Sequence, residues 1–129
     1  MIFGIGVDVT QIQRFEDRPL DSHFCRRVYA PEELAWLAQR GGRRQTEGLA
    51  GCWAVKEAFL KAAGTGLSGF ALEEIGLVHA ESGAPQLHLA GKARQWMEQQ
   101  RLAAHVSVSH DGGLCTAFVV LETAVPKSC

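Results

Sequence analysis

The chain has 129 residues, of which 47% are hydrophobic and 21% charged, with a formal net charge of −1. This is the size and balance of one globular domain, and it gives no global attraction to nucleic acid or to an anionic membrane, so any basic patch must be local. Charge is uneven: Arg26, Arg27, Arg40, Arg43 and Arg44 stand against only Glu32 and Glu33 between His23 and Thr46, which makes the first half the part suited to an anionic partner.

Ile2 to Thr10 alternates, with Phe3, Ile5, Val7 and Val9 on one parity and Gly4, Gly6, Asp8 and Thr10 on the other. The pattern predicts a strand whose apolar side faces the core. Its glycine side leads to Asp8 and leaves room for another backbone or a ligand to reach that carboxylate. From Ile12 to Phe24 the sequence is too mixed for more than a loop or short helix, with a turn suggested by Pro19, Asp21 and Ser22.

A helix is expected over Ala30 to Gln39. Pro31 suits a first helical position, and Glu32 and Glu33 suit the positive end of the helix dipole. Leu34, Leu37 and Ala38 form its apolar stripe, and Gly41-Gly42 ends it. Arg43 and Arg44 then fall in a connection, either solvated or in contact with an anion.

A central helix is expected from Thr46, as its cap, to Ala63. Leu49, Cys52, Lys56, Phe59, Leu60 and Ala63 make a mostly apolar packing stripe. Trp53, Glu57, Lys61 and Gly64 fall in another row, because residues four apart share a helix face. Glu57 and Lys61 read plainly as a surface ion pair, and functionally as a phosphate and metal station beside the turn Gly64-Thr65-Gly66.

Downstream, Ile75 to His79 and Gln86 to Ala90 read as a hairpin, and Gly91 to Gln100 as a helix with Ala93, Trp96, Met97 and Gln100 on one side. A second hairpin pairs His105–Ser109, with Val106 and Val108 inward, with Leu114–Glu122 across Asp111-Gly112-Gly113. Residues 1–123 are expected to form one domain and 124–129 a tail. The four cysteines include no C-x-x-C pair and no histidine at zinc-ligand spacing, so reduced thiols are expected. The glycine-broken start MIFGIGVD fits neither a signal peptide nor a membrane span and points to the cytoplasm.

There is no Walker loop, no G-x-S-x-G elbow and no H-E-x-x-H. Ser109-His110-Asp111 is no hydrolytic triad, since consecutive residues point different ways. What remains is Asp8, Glu57, Lys61, a glycine turn, and His110 at a strand end. Two carboxylates with open positions suit Mg²⁺ bridged to substrate phosphates, and a lysine nearby suits phosphoryl transfer. Spacing alone does not bring Asp8 and Glu57 together.

The blocks GIGVDVTQIQRF (4–15), WAVKEAFLKAAGTGL (53–67) and SVSHDGGLCTAFVVLE (107–122) resemble the three signature blocks of holo-acyl-carrier-protein synthase, the short bacterial 4′-phosphopantetheinyl transferase. They stand in the family's order, and RRVYAPEEL and ESGAPQLHLAG also look like family segments. The resemblance implies a compact single-domain α+β subunit with a small, mostly antiparallel sheet on a long central helix. It implies assembly as a homotrimer with sites shared between neighbours. The implied reaction moves the phosphopantetheine arm of coenzyme A to a serine of an apo acyl carrier protein and releases adenosine 3′,5′-bisphosphate.

On the matching positions, the resemblance makes Asp8 and Glu57 the Mg²⁺ ligands and Lys61 a contact to coenzyme A phosphates. Gly64, Thr65 and Gly66 would border the nucleotide. His110, with Asp111 beside it, would approach coenzyme A from across a subunit interface. Arg14 would meet the acidic helix of the carrier protein, and Arg26 and Arg27 would extend that surface. The acceptor of the serine proton stays open between a water and a site carboxylate. Ala30, where the family often has a hydroxyl cap, and Cys52-Trp53 depart from the usual pattern. Two other readings are a coenzyme A-binding module without transferase activity and a Mg²⁺-dependent phosphodiesterase, while near-neutral charge disfavours a nucleic-acid binder.

Overall fold

The structure, a computed structural model, describes residues 1–66 and 69–124. In chain order it contains strand β1 (Ile2–Gln11), a 3₁₀ turn (Ile12–Phe15), and helices α1 (His23–Val28), α2 (Pro31–Ala38) and α3 (Gly42–Ala63). Strands β2 (Ile75–His79) and β3 (Pro85–Leu89), helix α4 (Gly91–Gln100), and strands β4 (Leu102–Asp111) and β5 (Leu114–Thr123) follow. The expected α+β architecture is found, with its strands divided between two antiparallel sheets: β1-β5-β4, and the hairpin β2-β3. Of the tail expected over 124–129, Ala124 is described, its N–H donating to the Arg101 carbonyl at 2.7 Å, and residues 125–129 lie outside the described residues. Among those described, no helix is long and apolar enough to cross a membrane.

α3 is the axis of the fold. Ala, Leu and Val dominate its second half, and from Leu49 to Ala62 almost every residue is buried. The three exceptions, Trp53 and Glu57, half-buried, and Lys61, exposed, lie on one row. Between Leu49 and Ala62 the helix therefore packs on nearly all sides rather than by one stripe, and only this row reaches the surface. It stops at Gly64, whose left-handed φ of 78° lets its N–H donate to the Leu60 carbonyl at 3.0 Å.

α3 also begins earlier than the sequence suggests, at Gly42. Thr46 is not a cap, because its hydroxyl donates back to the Gly42 carbonyl at 3.3 Å from inside the helix. Arg43 and Arg44 accordingly sit in the first turn, not in a connection. The mixed segment Ile12 to Phe24 holds the 3₁₀ turn and the start of α1, which is capped by the Ser22 hydroxyl accepting from the Cys25 N–H at 3.2 Å.

The facing of β1 is the reverse of the expectation. Phe3, Ile5, Val7 and Val9 are 44%, 57%, 48% and 59% exposed, while Gly6 and Thr10 are buried. The cause is backbone contact with α3. A Cβ on Gly4 would lie 2.0 Å from the Ala62 carbonyl oxygen, and one on Gly6 1.9 Å from that of Ala58. Only glycine permits so close an approach, so the glycine side turns inward. The branched side then joins Leu114 and Phe118 of β5 on an open apolar face.

Lys56, placed in the apolar stripe, is buried as one member of an ion pair. Its Nζ donates to Glu33 Oε1 of α2 and to the Ile75 carbonyl of β2, each at 2.5 Å. Glu33 stands in the first turn of α2 as expected, but buried. Its carboxylate accepts from the backbone N–H of Ala30 at 2.9 Å and of Leu77 at 3.0 Å. Burying both charges is tolerated because each has partners on other elements.

Candidate active site

The close seam between β1 and α3 puts Asp8 opposite the row that α3 leaves at the surface. Lys61 Nζ donates to the Val7 carbonyl at 2.9 Å and lies 3.4 Å from Asp8 Oδ1. The other carboxylate oxygen, Oδ2, accepts from the Thr10 hydroxyl at 2.6 Å. Glu57 stands one turn before Lys61. Burial pushes its carboxyl above the ordinary value and the Asp8 charge pushes it further, while Lys61 and Arg14 pull it back. Asp8, Glu57, Lys61 and Arg14 thus share one electrostatic neighbourhood. Three and five residues after Lys61 come Gly64 and Gly66, both left-handed, with the Thr65 hydroxyl donating to the Gly66 carbonyl at 3.2 Å.

Arg14 is closer to this centre than a remote docking contact would be. Its guanidinium lies 5.8 Å from the ring centres of both Phe15 and Trp53, and Trp53 is one turn before Glu57. Trp53 stacks on Phe24 at 6.1 Å, and Phe24 carries Arg18 at 4.1 Å. Sequence reasoning missed this aromatic platform and Arg18. No local spacing reveals it, because Phe15, Phe24 and Trp53 come from three separate elements. Arg26 is turned to the Asp21 carbonyl, at 3.0 Å from Nε and 2.7 Å from Nη2, and Arg27 is exposed.

His110 and Asp111 are not part of this cluster within one chain. They end β4, which is separated from β1 by β5. His110 Nδ1 lies 3.6 Å from Glu47 Oε2 near the start of α3. Glu57 is ten residues further along that helix, roughly 15 Å away. A cleft of about 450 Å³ beside His110 is lined also by Arg40, Arg44 and His79, whereas Asp8, Glu57 and Lys61 line neither it nor the larger cleft near Gly112 and Gly113.

Among the described residues, no group of three or more His, Cys, Asp or Glu side chains is placed to hold a metal. Asp8 and Glu57 are a two-carboxylate donor set with open positions. That set fits Mg²⁺, which is usually held by one or two carboxylates together with waters and phosphates, and does not fit a closed structural site.

A strand carboxylate, a helix carboxylate and a lysine at a glycine turn are groups of the kind that phosphate-handling enzymes use. The sequence pattern of the 4′-phosphopantetheinyl transferase superfamily matches residues 4–119. Holo-[acyl-carrier-protein] synthase of Trichlorobacter lovleyi is 42% identical over 127 residues, covering 95% of this chain and 98% of that protein. The protein of the same name from Geobacter sulfurreducens is 40% identical over 127 residues, with the same coverage of each chain.

Solved structures agree. The fold is similar to holo-[acyl-carrier-protein] synthase of Neisseria meningitidis, with a TM-score of 0.84 and 33% identity over 95% of this chain and all (100%) of the other. The Bacillus anthracis enzyme in complex with CoA (3′,5′-ADP) gives a TM-score of 0.81 and 31% identity, covering 96% and 99% of the two chains. The chain belongs to the 4′-phosphopantetheinyl transferase superfamily and, within it, to the holo-[acyl-carrier-protein] synthases. It is an enzyme of phosphopantetheinyl transfer.

Proposed function

We propose that the chain moves the 4′-phosphopantetheine arm of coenzyme A to a serine hydroxyl of an apo acyl carrier protein in the cytoplasm, with Mg²⁺ bound, releasing adenosine 3′,5′-bisphosphate. The observation that carries this reading is the meeting of Asp8 from β1 with Lys61, one turn after Glu57, on α3. Asp8 and Glu57 hold the Mg²⁺. When bound, Mg²⁺ supplies positive charge to the diphosphate oxygens.

Lys61 exchanges its present contacts at Val7 and Asp8 for the diphosphate, and its positive charge stabilises the leaving bisphosphate. Attack of the serine oxygen on phosphorus breaks the phosphorus–oxygen bond to the bisphosphate, and the serine proton passes to a water or a site carboxylate. The turn Gly64-Thr65-Gly66 borders the nucleotide. Arg14, supported on Trp53, faces the acidic carrier, with Arg18, Arg26 and Arg27 widening that basic surface.

His110 lies by Glu47, ten residues before Glu57 on α3, which supports a role in the reaction from a neighbouring copy. The open apolar face of Ile5, Val7, Val9, Leu114 and Phe118 supports self-association, for which we propose a homotrimer. His110, Asp111 and Arg44 then come to coenzyme A from a neighbouring copy.

Intact-mass measurement tests the reaction. An apo carrier protein should gain one phosphopantetheine only when coenzyme A, Mg²⁺ and the enzyme are all present. Coenzyme A binding without transfer would favour a binding module, and coenzyme A cleavage without a carrier would favour a phosphodiesterase. Asp8→Ala and Glu57→Ala should each abolish transfer in a folded protein.

A further inference from the structure

Resting on the metal role proposed for Asp8, we propose that Thr10 is the positioning residue that prepares this carboxylate for a divalent cation. Asp8 and Thr10 are two residues apart on β1, so both side chains point to the α3 side of the sheet. Thr10 is 1% exposed, and its hydroxyl donates to Asp8 Oδ2 at 2.6 Å. The direction of that bond is fixed, because an ionised carboxylate only accepts. At this length it is a charge-assisted hydrogen bond.

The terminal torsion of an aspartate is broad and roughly two-fold, so an unanchored carboxylate turns freely about its last bond. Thr10 removes that freedom. With Oδ2 committed to the hydroxyl, Oδ1 is turned toward α3, where Lys61 Nζ now lies 3.4 Å away. A cation bound between β1 and α3 therefore meets an oxygen already oriented toward it. Partners in the shell behind a metal ligand act this way, and their loss typically lowers metal affinity by about 10- to 100-fold.

The test is Mn²⁺ binding to the coenzyme A-free protein, read by the electron paramagnetic resonance of free Mn²⁺, so that it does not depend on turnover. Thr10→Val keeps the branched shape and removes the donor, and should weaken Mn²⁺ about tenfold. Thr10→Ala removes the hydroxyl without adding a methyl group and should give the same loss if the valine packs poorly. Thr10→Ser keeps the hydroxyl and should bind within about threefold of the parent chain.

The proposal is overturned if Thr10→Val and Thr10→Ala, with near-ultraviolet circular dichroism like the parent's, bind Mn²⁺ as well as the parent or better. It is also overturned if Thr10→Ser is as weak as Thr10→Val, since keeping the hydroxyl would then not keep the site. Asp8→Ala and Glu57→Ala separate the two levels. If both retain full Mn²⁺ binding, the metal assignment falls and Thr10 falls with it; if both lose it while Thr10→Val does not, only the Thr10 role falls.

Discussion

Gly6 of β1 lies so close to Ala58 of α3 that a Cβ on the glycine would fall 1.9 Å from the Ala58 carbonyl oxygen. This contact sets how near Asp8, two residues on, stands to Glu57, the neighbour of Ala58. The obstructing atom is backbone and cannot swing aside, so Gly6→Ala must push the strand and the helix apart. We expect a loss of about 1–3 kcal/mol of stability, the usual range for overpacking. Divalent-cation affinity should fall in the protein that remains folded. Urea unfolding and Mn²⁺ titration check the two halves, and an unchanged Mn²⁺ affinity would show that the seam does not set the site.

Lys61 occupies the ground on which a cation would sit. Two unit charges 4 Å apart interact by about 1 kcal/mol in water and about 4 kcal/mol at an effective dielectric constant near 20. Lys61 is exposed, which favours the lower value. Lys61→Met should accordingly tighten Mn²⁺ binding about fivefold without coenzyme A, while weakening coenzyme A itself. Titration calorimetry with each ligand separately reads both effects, and a weaker Mn²⁺ site in the variant would contradict this picture.

The buried pair Lys56–Glu33 makes a prediction about stability with a distinctive sign pattern. Lys56→Met leaves Glu33 buried without its cation, which should cost about 3–5 kcal/mol. The double variant Lys56→Met, Glu33→Met removes both charges and should recover most of that loss, apart from the unpaired Leu77 and Ala30 N–H groups. Equal destabilisation in the single and double variants, measured by urea unfolding, would show that the pair's charge is irrelevant.

Cys115 links stability to alkaline pH. Burial first, then the charges of Asp8 and Glu47, push its thiol from 9.0 up to about 11. The unfolded chain ionises first, so the contribution of this group is fully present below pH 9 and is lost as the pH rises through 11. Part of the unfolding free energy, up to about 2 kcal/mol, should disappear over that window. A Cys115→Ala variant should lose less across the same range. The native thiol, only 1% exposed, should also resist alkylation at pH 8.

Much of this architecture is legible in the sequence, and the misreadings share a cause. The alternation of Ile2 to Thr10 identifies β1, and the row Trp53, Glu57, Lys61, Gly64 identifies the surface of α3. The facing of β1 is not legible from hydrophobicity. Four branched or aromatic side chains look like a core face until one knows that a helix backbone rests on Gly4 and Gly6.

Lys56 is misread similarly. Its spacing places it on a packed side of α3, but its partner Glu33 and the Ile75 carbonyl come from other elements. The start of α3 is missed because Gly41-Gly42 reads as a terminator of the preceding helix, whereas Gly41 is the N-cap of the next. At the site, Asp8 and Glu57 are nameable as ligand types. Their meeting depends on the β1–α3 seam, and the link from Thr10 to Asp8 depends on side-chain rotamers.

The burial of α3 bears on how this chain can change over generations. Inside Leu49–Ala62 the covered positions are fixed by volume, and the uncovered row of Trp53, Glu57 and Lys61 is the one proposed for chemistry. Hardly any position of this stretch is free to drift. Substitutions accumulating without penalty should therefore be concentrated elsewhere, on α4 and around the β2–β3 hairpin, where side chains such as Arg94, Gln95, Gln86 and Glu81 are exposed.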